Sequence, residues 1–394
     1  MNKTLYKKDS KSKIRQWNIC VAIHGEIFGV ETSDGLVGGK IKDPIFKEAV
    51  PNNQFKTAEA KAKAMMESAI DMKLRSNYFE SIEDIKEEDI LFMPTGCPSG
   101  MIWEEFKDKS HVVYPALASA KLDGSKMYST WRDGRVFLNT RSAKEHLNFR
   151  HIEEALKDFY DEHPNIVLDG EAYNHDYKDR FEELQSIFRK EDPTDEERQV
   201  SKNIAKFYIY DAIDLTMPNQ TAQERQLLLD DIFENDLWKQ ECLIHWRSTV
   251  VKSEEDYNMF HEKCMDEGFE GSVLKISSAP YVQRKNKFVM KRKLKFDCEF
   301  KILDILEGTG TASGIAAGVM IDLTAAVGMN ETHFKALDAT HQLAGIASGW
   351  NHKMTAELLL KKEEYIGKWA TIEYGGMTAY GKLRFPKFKG IRLD

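Results

Sequence analysis

The sequence predicts an α+β protein made of three successive parts. Residues 1 to 80 contain short apolar runs separated by turn signals and then a helical periodicity, which indicate a small antiparallel sheet with one helix. Residues 81 to 295 alternate strand-like runs with amphipathic helices, a pattern typical of antiparallel sheets with flanking helices. Residues 296 to 394 return to short strands, which indicate a small β-barrel.

The first part combines strand and helix signals. Residues 16 to 23 are mostly apolar, and turn signals at His24–Gly25 and Asp34–Gly35 separate the next strand-like runs. Thr57 can cap a helix over residues 58 to 75, where Ala and Met recur at core-facing spacing. Six basic residues among the first fifteen favour a DNA-binding module, and a module that only packs or aids solubility is the alternative.

The second part opens with a hairpin and a helix. Asp133–Gly134 stands between two alternating runs and is a strong hairpin signal. Residues 151 to 163 have the spacing of an amphipathic helix that Pro164 ends. The runs 166 to 173 and 207 to 213 are rich in β-branched and aromatic residues, and both are predicted to be strands.

Three further helices are predicted beside these strands. Residues 181 to 190 indicate a surface helix, and the acidic residues after it indicate a linker. The capping box Thr221–Glu224 opens the next helix, and Ser253 opens the last one, which ends at Gly268.

The third part is predicted from its short strands. Strand-like runs occur at residues 299 to 306, 319 to 324 and 369 to 374. Residues 294 to 297 connect this part to the second, and we expect them to act as a hinge. Residues 325 to 351 match no pattern that assigns them a role.

Lys121 is a charged residue at the end of an apolar run. Residues 111 to 120 carry almost no charge, so we expect a buried strand that ends at Lys121, where burial disfavours the ammonium form. Because an ordinary lysine has a pKa of about 10.4, holding its amine neutral at pH 7 costs roughly 4 to 5 kcal/mol unless burial or nearby cations lower that pKa. We therefore predict that Lys121 is a nucleophile with a lowered pKa, and that Arg141, after the hairpin, faces the same pocket.

Seven short segments in a fixed order resemble the motifs of ATP-dependent DNA ligases. The segment Lys121–Leu122–Asp123–Gly124 resembles the nucleotidyl-acceptor motif of that family. The following segments resemble its ribose-contacting, acidic, adenine-stacking, second acidic, paired-lysine and C-terminal motifs, at residues 139–142, 168–171, 207–211, 270–275, 290–293 and 384–392. The resemblance covers residues 95 to 394. It implies a nucleotidyltransferase (adenylation) domain at 81 to 295 and an OB-fold domain at 296 to 394.

The same resemblance implies a cofactor and its contacts. ATP would be the cofactor, and Lys121 would hold AMP as a phosphoramidate until a nicked duplex accepts it. Ser119 would contact the adenine amino group, although its side chain is shorter than is usual in the family. Tyr210 would stack on the adenine, and Arg141 and Glu171 would contact the ribose.

The phosphates require charge neutralisation, and the resemblance implies which residues supply it. Glu270 and Glu171 would hold a Mg2+ or Mn2+ ion. Lys291 and Lys293 would lie on the phosphate oxygens and would also help to lower the pKa of Lys121.

Two more basic residues complete the predicted site. Arg384, in the last part of the chain, would contact the β- and γ-phosphates of ATP as pyrophosphate departs. Lys126 belongs to the nucleotide-binding set and stands where most of the family has arginine. An ammonium lacks the bidentate geometry of a guanidinium, so a contact of Lys126 with the nick phosphate would differ from that of the family.

Composition limits the partners. The net charge is −8, yet seven of the twelve residues from 284 to 295 are basic, so the chain can still bind nicked double-stranded DNA. The five cysteines contain no Cys-x-x-Cys pair, which argues against structural zinc and disulfides. No apolar run reaches the roughly 20 residues of a membrane span. We expect a monomer in the cytoplasm, or in the host-cell cytoplasm if the chain is viral.

Other functions share parts of this pattern. RNA ligases and mRNA-capping nucleotidyltransferases share the lysine motif and most later motifs. The C-terminal segment from Arg384 to Arg392 favours a small DNA ligase over a capping enzyme. A catalytically inactive OB-type DNA-binding protein is the alternative from another class, and the presence of every charged motif residue argues against it.

Overall fold

The computed structural model describes residues 2–9, 11–86, 90–96, 103, 109–178, 180–237, 240–308, 314–337, 343–349, 352–378 and 380–392. The chain divides into two compact units, of which the first contains the residues up to Met93 and the second contains most of the chain from Pro94 onward. None of the described helices is both long and apolar enough to cross a bilayer.

The first unit is a four-stranded antiparallel sheet covered by one helix. Its elements are β1 (Asn2–Lys8), β2 (Ile14–His24), β3 (Ile27–Leu36), β4 (Ile45–Glu48) and α1 (Ala58–Leu74), with the strands in chain order. The Thr57 hydroxyl accepts a hydrogen bond from the main-chain N–H of Ala60 and caps the helix. Leu5, Trp17 and Met66 belong to the core between sheet and helix.

Several basic residues at the start of the chain contact groups of the same unit. Lys3, Lys7 and Arg15 each contact a carboxylate or a main-chain carbonyl of the same unit, at 2.8, 2.7 and 2.9 Å respectively. Three of the six basic residues among the first fifteen therefore already have partners. DNA binding by this unit stays a prediction.

The second unit begins with two sheets and their helices. The elements are β5 (Ala116–Lys121), β6 (Ser125–Arg132), β7 (Arg135–Asn139), α2 (Arg150–Glu162), β8 (Ile166–Tyr173), α3 (Phe181–Phe188), α4 (Asp195–Ile204), β9 (Lys206–Asp214), α5 (Ala222–Ile232), β10 (Leu243–His245), β11 (Thr249–Val251), α6 (Glu254–Asp266), β12 (Gly271–Ile276) and β13 (Val289–Lys293). One sheet has the order β10-β9-β8-β6-β7 and the other β11-β5-β12-β13. All pairs are antiparallel except β9 with β10.

Local signals in the sequence correspond to observed turns and caps. Asp133 and Gly134 have φ angles of +52° and +73°, the left-handed pair that a two-residue hairpin turn needs. The predicted capping box of Thr221 and Glu224 is present at the start of α5. The predicted linker after residue 190 is wrong for part of its length, because residues 195 to 204 form α4. A second capping box, which begins at Thr194, starts that helix, and its last turn buries an isoleucine.

The remainder of the second unit is a five-stranded sheet with small helices. The elements are β14 (Phe296–Glu307), β15 (Ala316–Val327), α7 (Glu331–Ala336), β16 (Leu343–Ile346), α8 (His352–Leu360), α9 (Lys362–Tyr365), β17 (Trp369–Tyr374) and β18 (Lys387–Ile391), with strand order β16-β15-β14-β17-β18. Residues 325 to 351, which the sequence left unassigned, supply the end of β15, α7 and β16. The predicted sequence of antiparallel sheets with flanking helices followed by an OB-like sheet is confirmed.

A two-residue connection joins β13 to β14. Leu294 and Lys295 lie between the two strands, and the Lys295 ammonium contacts the Glu373 carboxylate of β17 at 2.8 Å. Glu373 also binds Lys389 at 3.0 Å. The hinge predicted at residues 294 to 297 thus coincides with this connection and the start of β14, and its motion stays a prediction.

A buried ion cluster joins the sheet that contains β9 to the sheet that contains β12. Asp211 on β9 accepts hydrogen bonds from Arg225 Nε at 2.7 Å and from Lys275 Nζ at 3.1 Å. Burial alone would raise the pKa of Asp211, but the charges of Lys275 and Arg225 reverse that effect and hold it below its usual value. The ionised form is therefore favoured in the folded state.

We predict that Asp211→Ala destabilises the protein by about 3 to 5 kcal/mol, because it leaves two buried cations without a counter-charge. The stabilisation from the depressed pKa is present above the unfolded pKa of about 3.9 and is lost as pH falls through the lower folded value. Urea unfolding at neutral pH measures the effect. Asp161→Ala, on the exposed face of α2, is the matched control and should change stability by less than about 0.5 kcal/mol. Equal unfolding midpoints for the two variants would contradict the prediction.

Candidate active site

A pocket of about 250 Å3 contains most of the residues that the sequence singles out. It is lined by eight of them: Ser119, Lys121, Lys126, Arg141, Glu171, Tyr210, Lys291 and Lys293. A larger cleft of about 580 Å3 is lined by Glu270 and Arg384, and Lys291 and Lys293 line both spaces. The structure therefore brings together all ten predicted residues around two adjoining spaces.

Main-chain contacts fix the end of the strand that carries Lys121. Strand β5 pairs with β12 so that Lys121 lies opposite Gly271, and the N–H of Glu270 donates to the carbonyl of Lys121 at 3.2 Å. On the other side, the indole N–H of Trp246 donates to the carbonyl of Ala120 at 3.0 Å. Sequence reasoning missed Trp246, because its partner lies 126 residues earlier in the chain and no local pattern links them.

Two glycines permit close approaches of the backbone near Lys121, one between β12 and β13 and one between the turn after Lys121 and β8. A Cβ on Gly271, which has φ +151°, would lie 2.0 Å from the carbonyl oxygen of Arg292. A Cβ on Gly124, in the turn after Lys121, would lie 2.3 Å from the carbonyl oxygen of Ala172. Both positions therefore require glycine, and both place a predicted acidic residue next to the lysine turn.

Lys121 is held by carboxylates. Its ammonium forms an ion pair with Glu270, which also pairs with Lys293. Burial alone would lower the pKa of Lys121, but the charges of Glu270, Glu171 and Asp123 outweigh burial and raise it. The prediction of a lowered pKa is wrong for this structure. The reason is that the charges of three acidic residues, one of them in direct contact with the amine, outweigh the burial that was expected to lower its pKa.

The two glutamates of the site differ in their electrostatic state. Burial would raise the pKa of Glu270, but the charges of Lys121 and Lys293 lower it below its usual value. Burial raises the pKa of Glu171, and the nearby cations Lys121, Lys126 and Arg141 oppose that effect without reversing it. Glu171 is therefore the carboxylate whose negative charge is less fully compensated, and the Lys121 charge has the largest opposing effect on its pKa.

The residues predicted to contact the nucleotide line different walls of the pocket. Ser119 lies on β5, opposite Val273 of β12, and is buried. Arg141 is exposed just beyond β7. Two ammonium groups lie near the ring of Tyr210 on β9, with Lys126 Nζ at 4.6 Å and Lys275 Nζ at 5.0 Å from its centroid.

Arg384 reaches the turn that follows Lys121. Its guanidinium contacts the Asp123 carboxylate at 2.7 Å, across 261 residues of sequence. Burial raises the pKa of Asp123, Glu270 adds to that effect, and Arg384 opposes it. The predicted proximity of Arg384 to the lysine site is thus present in the structure, whereas its contact with phosphates stays a prediction.

The arrangement can hold a nucleotide by its three chemically different parts. The pocket offers an aromatic ring and a hydroxyl for a base, Arg141 and Glu171 for a sugar, and two lysines for phosphates. Lys121 is the amine of the pocket, and it contacts the Glu270 carboxylate, whose oxygens can also hold a cation.

Comparisons with known proteins follow the same division of the chain. Residues 106–295 match the model of the ATP dependent DNA ligase domain, and residues 333–392 match that of the DNA ligase OB-like domain. A DNA ligase of African swine fever virus (isolate Pig/Kenya/KEN-50/1950) is 27% identical over 185 residues, which are 45% of this chain and 41% of that protein. The DNA ligase of the Badajoz 1971 Vero-adapted strain is also 27% identical, over 186 residues with the same coverage. The chain thus spans about two fifths of the length of these curated relatives.

Solved structures share the fold. The structure "Pmar-Lig_Pre." has a TM-score of 0.62 at 18% identity and covers 85% of this chain and 83% of its own. The structure titled "DNA binding with a minimal scaffold: Structure-function analysis of Lig E DNA ligases" has a TM-score of 0.56 at 19% identity and covers 77% of this chain and 100% of its own. Because the two domain models match in the family's order and together span more than half of the sequence, the chain belongs to the ATP-dependent DNA ligase family.

Proposed function

We propose that the chain is an ATP-dependent DNA ligase that seals nicks in duplex DNA through AMP bound covalently to Lys121. The observation that carries this proposal is the position of Lys121, at the fixed end of β5 and in contact with Glu270, inside a pocket lined by Lys291 and Lys293. The relatives named DNA ligase support the same reaction.

In the first step the Lys121 amine attacks the α-phosphate of ATP. A bond forms between Nζ and phosphorus, the bond to the bridging oxygen of pyrophosphate breaks, and the amine loses its proton. That proton goes to solvent, because the lowered pKa of Glu270 makes this carboxylate a poor proton acceptor, although it contacts Nζ. Lys291 and Lys293 stabilise the charge that develops on the phosphate oxygens.

In the next steps the AMP moves to DNA and then leaves. The 5′-phosphate of the nick attacks the lysyl adenylate, and Lys121 departs as the amine. The 3′-hydroxyl then attacks the capped 5′-phosphate and displaces AMP, which closes the backbone. The adenylate makes this last step possible, because AMP is a far better leaving group than the oxygen of a free phosphate.

The proposed contacts with the nucleotide are made by four residues that line the pocket. Tyr210 stacks on adenine, and Ser119 contacts the base at its polar edge. Arg141 and Glu171 contact the ribose. These roles rest on the family resemblance of the segments and on the presence of all four residues in one pocket.

The site also fits a divalent cation. Glu270 contacts Lys121, Glu171 lines the same pocket as Lys121, and carboxylate oxygens are the ligands that Mg2+ and Mn2+ prefer. The less compensated charge of Glu171 supports this assignment. Such an ion, when bound, neutralises charge on the phosphates of ATP.

The DNA partner is inferred from charge and fold. The basic run from Arg284 to Lys295 leads from the pocket into the OB-like part, where Lys382, Lys387 and Lys389 follow. Clustered cations of this kind bind phosphates regardless of sequence. We propose a nicked duplex as the substrate and a monomer in the cytoplasm as the working form.

The direct test compares the parent protein with Lys121→Ala in the presence of α-labelled ATP. The parent should form a labelled protein band and seal nicked DNA, and the variant should do neither while keeping its unfolding midpoint. Parallel reactions with labelled GTP and with nicked RNA test the capping and RNA ligase alternatives. A labelled band from Lys121→Ala would overturn the assignment of the nucleophile, and no band from the parent would overturn the proposed function.

The rate of lysyl adenylate formation should rise with pH. Because the carboxylates raise the pKa of Lys121, the fraction of neutral amine is small at pH 7. Below that pKa, this fraction increases about tenfold for each unit by which the pH rises. Glu270→Gln removes the largest charge that raises the pKa of Lys121, so its profile should shift toward lower pH even though its maximal rate falls. Single-turnover labelling at a series of pH values measures both profiles. Superimposable profiles would show that Glu270 does not set this pKa.

Arg384→Ala should separate the first step from the last. We expect lysyl adenylate formation to fall by about 10²-fold, because a cation near the departing pyrophosphate is lost. Sealing of a nick whose 5′-phosphate already carries AMP should remain within about threefold of the parent, since pyrophosphate is absent from that step. An equal loss in both assays would show that Arg384 serves both steps through its contact with Asp123.

A further inference from the structure

Lys126 lies inside the wall of the pocket. Its side chain is 10% exposed and forms an ion pair with Asp169, whose side chain is fully buried. The same ammonium donates to the hydroxyl of Tyr210 at 2.5 Å. Two of its three N–H groups are therefore directed at partners within the protein.

Asp169 links Lys126 to two more segments. Its second carboxylate oxygen accepts a hydrogen bond from the Tyr281 hydroxyl at 2.6 Å. That hydroxyl in turn accepts the main-chain N–H of Thr95 at 2.8 Å. The network thus joins β6, β8 and β9 to the segment before β5 and to the loop after β12, and each of these lines or supports the pocket.

The network fixes the outer end of Tyr210. The Lys126 ammonium lies at the hydroxyl of this tyrosine and 4.6 Å from its ring centroid, so it limits both the position and the tilt of the ring. Tyr210 projects from a strand whose next residue, Asp211, is held by the buried ion cluster with Arg225 and Lys275. The backbone is therefore fixed on one side and the hydroxyl on the other.

We propose that Lys126 is a positioning residue, which orients Tyr210 for stacking on the nucleotide base and does not contact a phosphate of the DNA. This inference rests on the proposed function and reassigns one of its residues. Withdrawing Lys126 toward a DNA phosphate would leave Asp169 buried and charged without its cation, which is costly in the protein interior. A lysine suits this place, because a compact ammonium can serve one carboxylate and one hydroxyl at once.

The test uses Lys126→Met in the full-length protein and measures the two halves of the reaction separately. The KM for ATP in lysyl adenylate formation should rise about tenfold or more, because the Tyr210 ring is no longer held in the orientation that stacks on the base. The KM for a pre-adenylated nick should rise in the same direction, because its adenine occupies the same pocket, whereas the slope of log Kd against log salt for nicked DNA should equal that of the parent. Lys157→Met, an exposed lysine on α2, is the matched control for the loss of one charge and should change none of these values.

A second variant covers the case in which Lys126→Met fails to fold. Lys126→Met combined with Asp169→Asn removes both members of the ion pair, so no uncompensated charge remains buried. This double variant should fold and show the same rise in the KM for ATP. Tyr210→Phe, which removes only the hydroxyl that Lys126 contacts, should also raise that KM, by a smaller factor.

The outcomes are distinct. An unchanged KM for ATP together with weaker DNA binding and a salt slope shallower by about one would overturn the inference and place Lys126 on a DNA phosphate. Unchanged values in all three assays would overturn it as well. If the parent forms no lysyl adenylate at all, the proposed function fails, and this result is separate from any effect of Lys126.

Discussion

The contact between the Lys121 ammonium and the Glu270 carboxylate is the interaction on which the site depends. It requires that β5 end where β12 begins, and the main-chain bond between Glu270 and Lys121 sets that register. Gly271 and the indole of Trp246 hold the same strand ends. The surrounding carboxylates favour the ammonium form of Lys121, so this side chain must lose a proton before it can act as a nucleophile.

Buried polar networks surround this pair and connect separate segments of the chain. One network contains Asp211, Arg225 and Lys275, and the other contains Asp169, Lys126 and Tyr281. Together they hold three cationic groups and one hydroxyl in or next to the pocket wall. Networks of this kind add little net stability over an apolar core, but they fix geometry because every member needs its partner. Arg384, in the OB-like part, makes a similar contact, because its guanidinium binds the Asp123 carboxylate in the turn next to Lys121.

Short-range signals predicted much of the fold. The hairpin at Asp133–Gly134 and the capping box at Thr221 follow from the chemistry of adjacent residues, and ordered motifs predicted which residues would share a pocket. What the sequence could not predict depends on distant partners. The pKa of Lys121 was predicted in the wrong direction, because the direction of its shift is decided by burial on one side and by the charges of three carboxylates from separate segments on the other. The contact of Trp246 with Ala120 was missed for the same reason.

The central claim is that Lys121, among several lysines in one pocket, is the residue that carries AMP. Incubation of the full-length protein with ATP and Mg2+, followed by proteolysis and mass spectrometry of the peptides, measures this directly. The account predicts one added AMP, on the peptide that contains Lys121 and linked to that side chain. An adduct on Lys126, Lys291 or Lys293, or no adduct on any peptide, would contradict it.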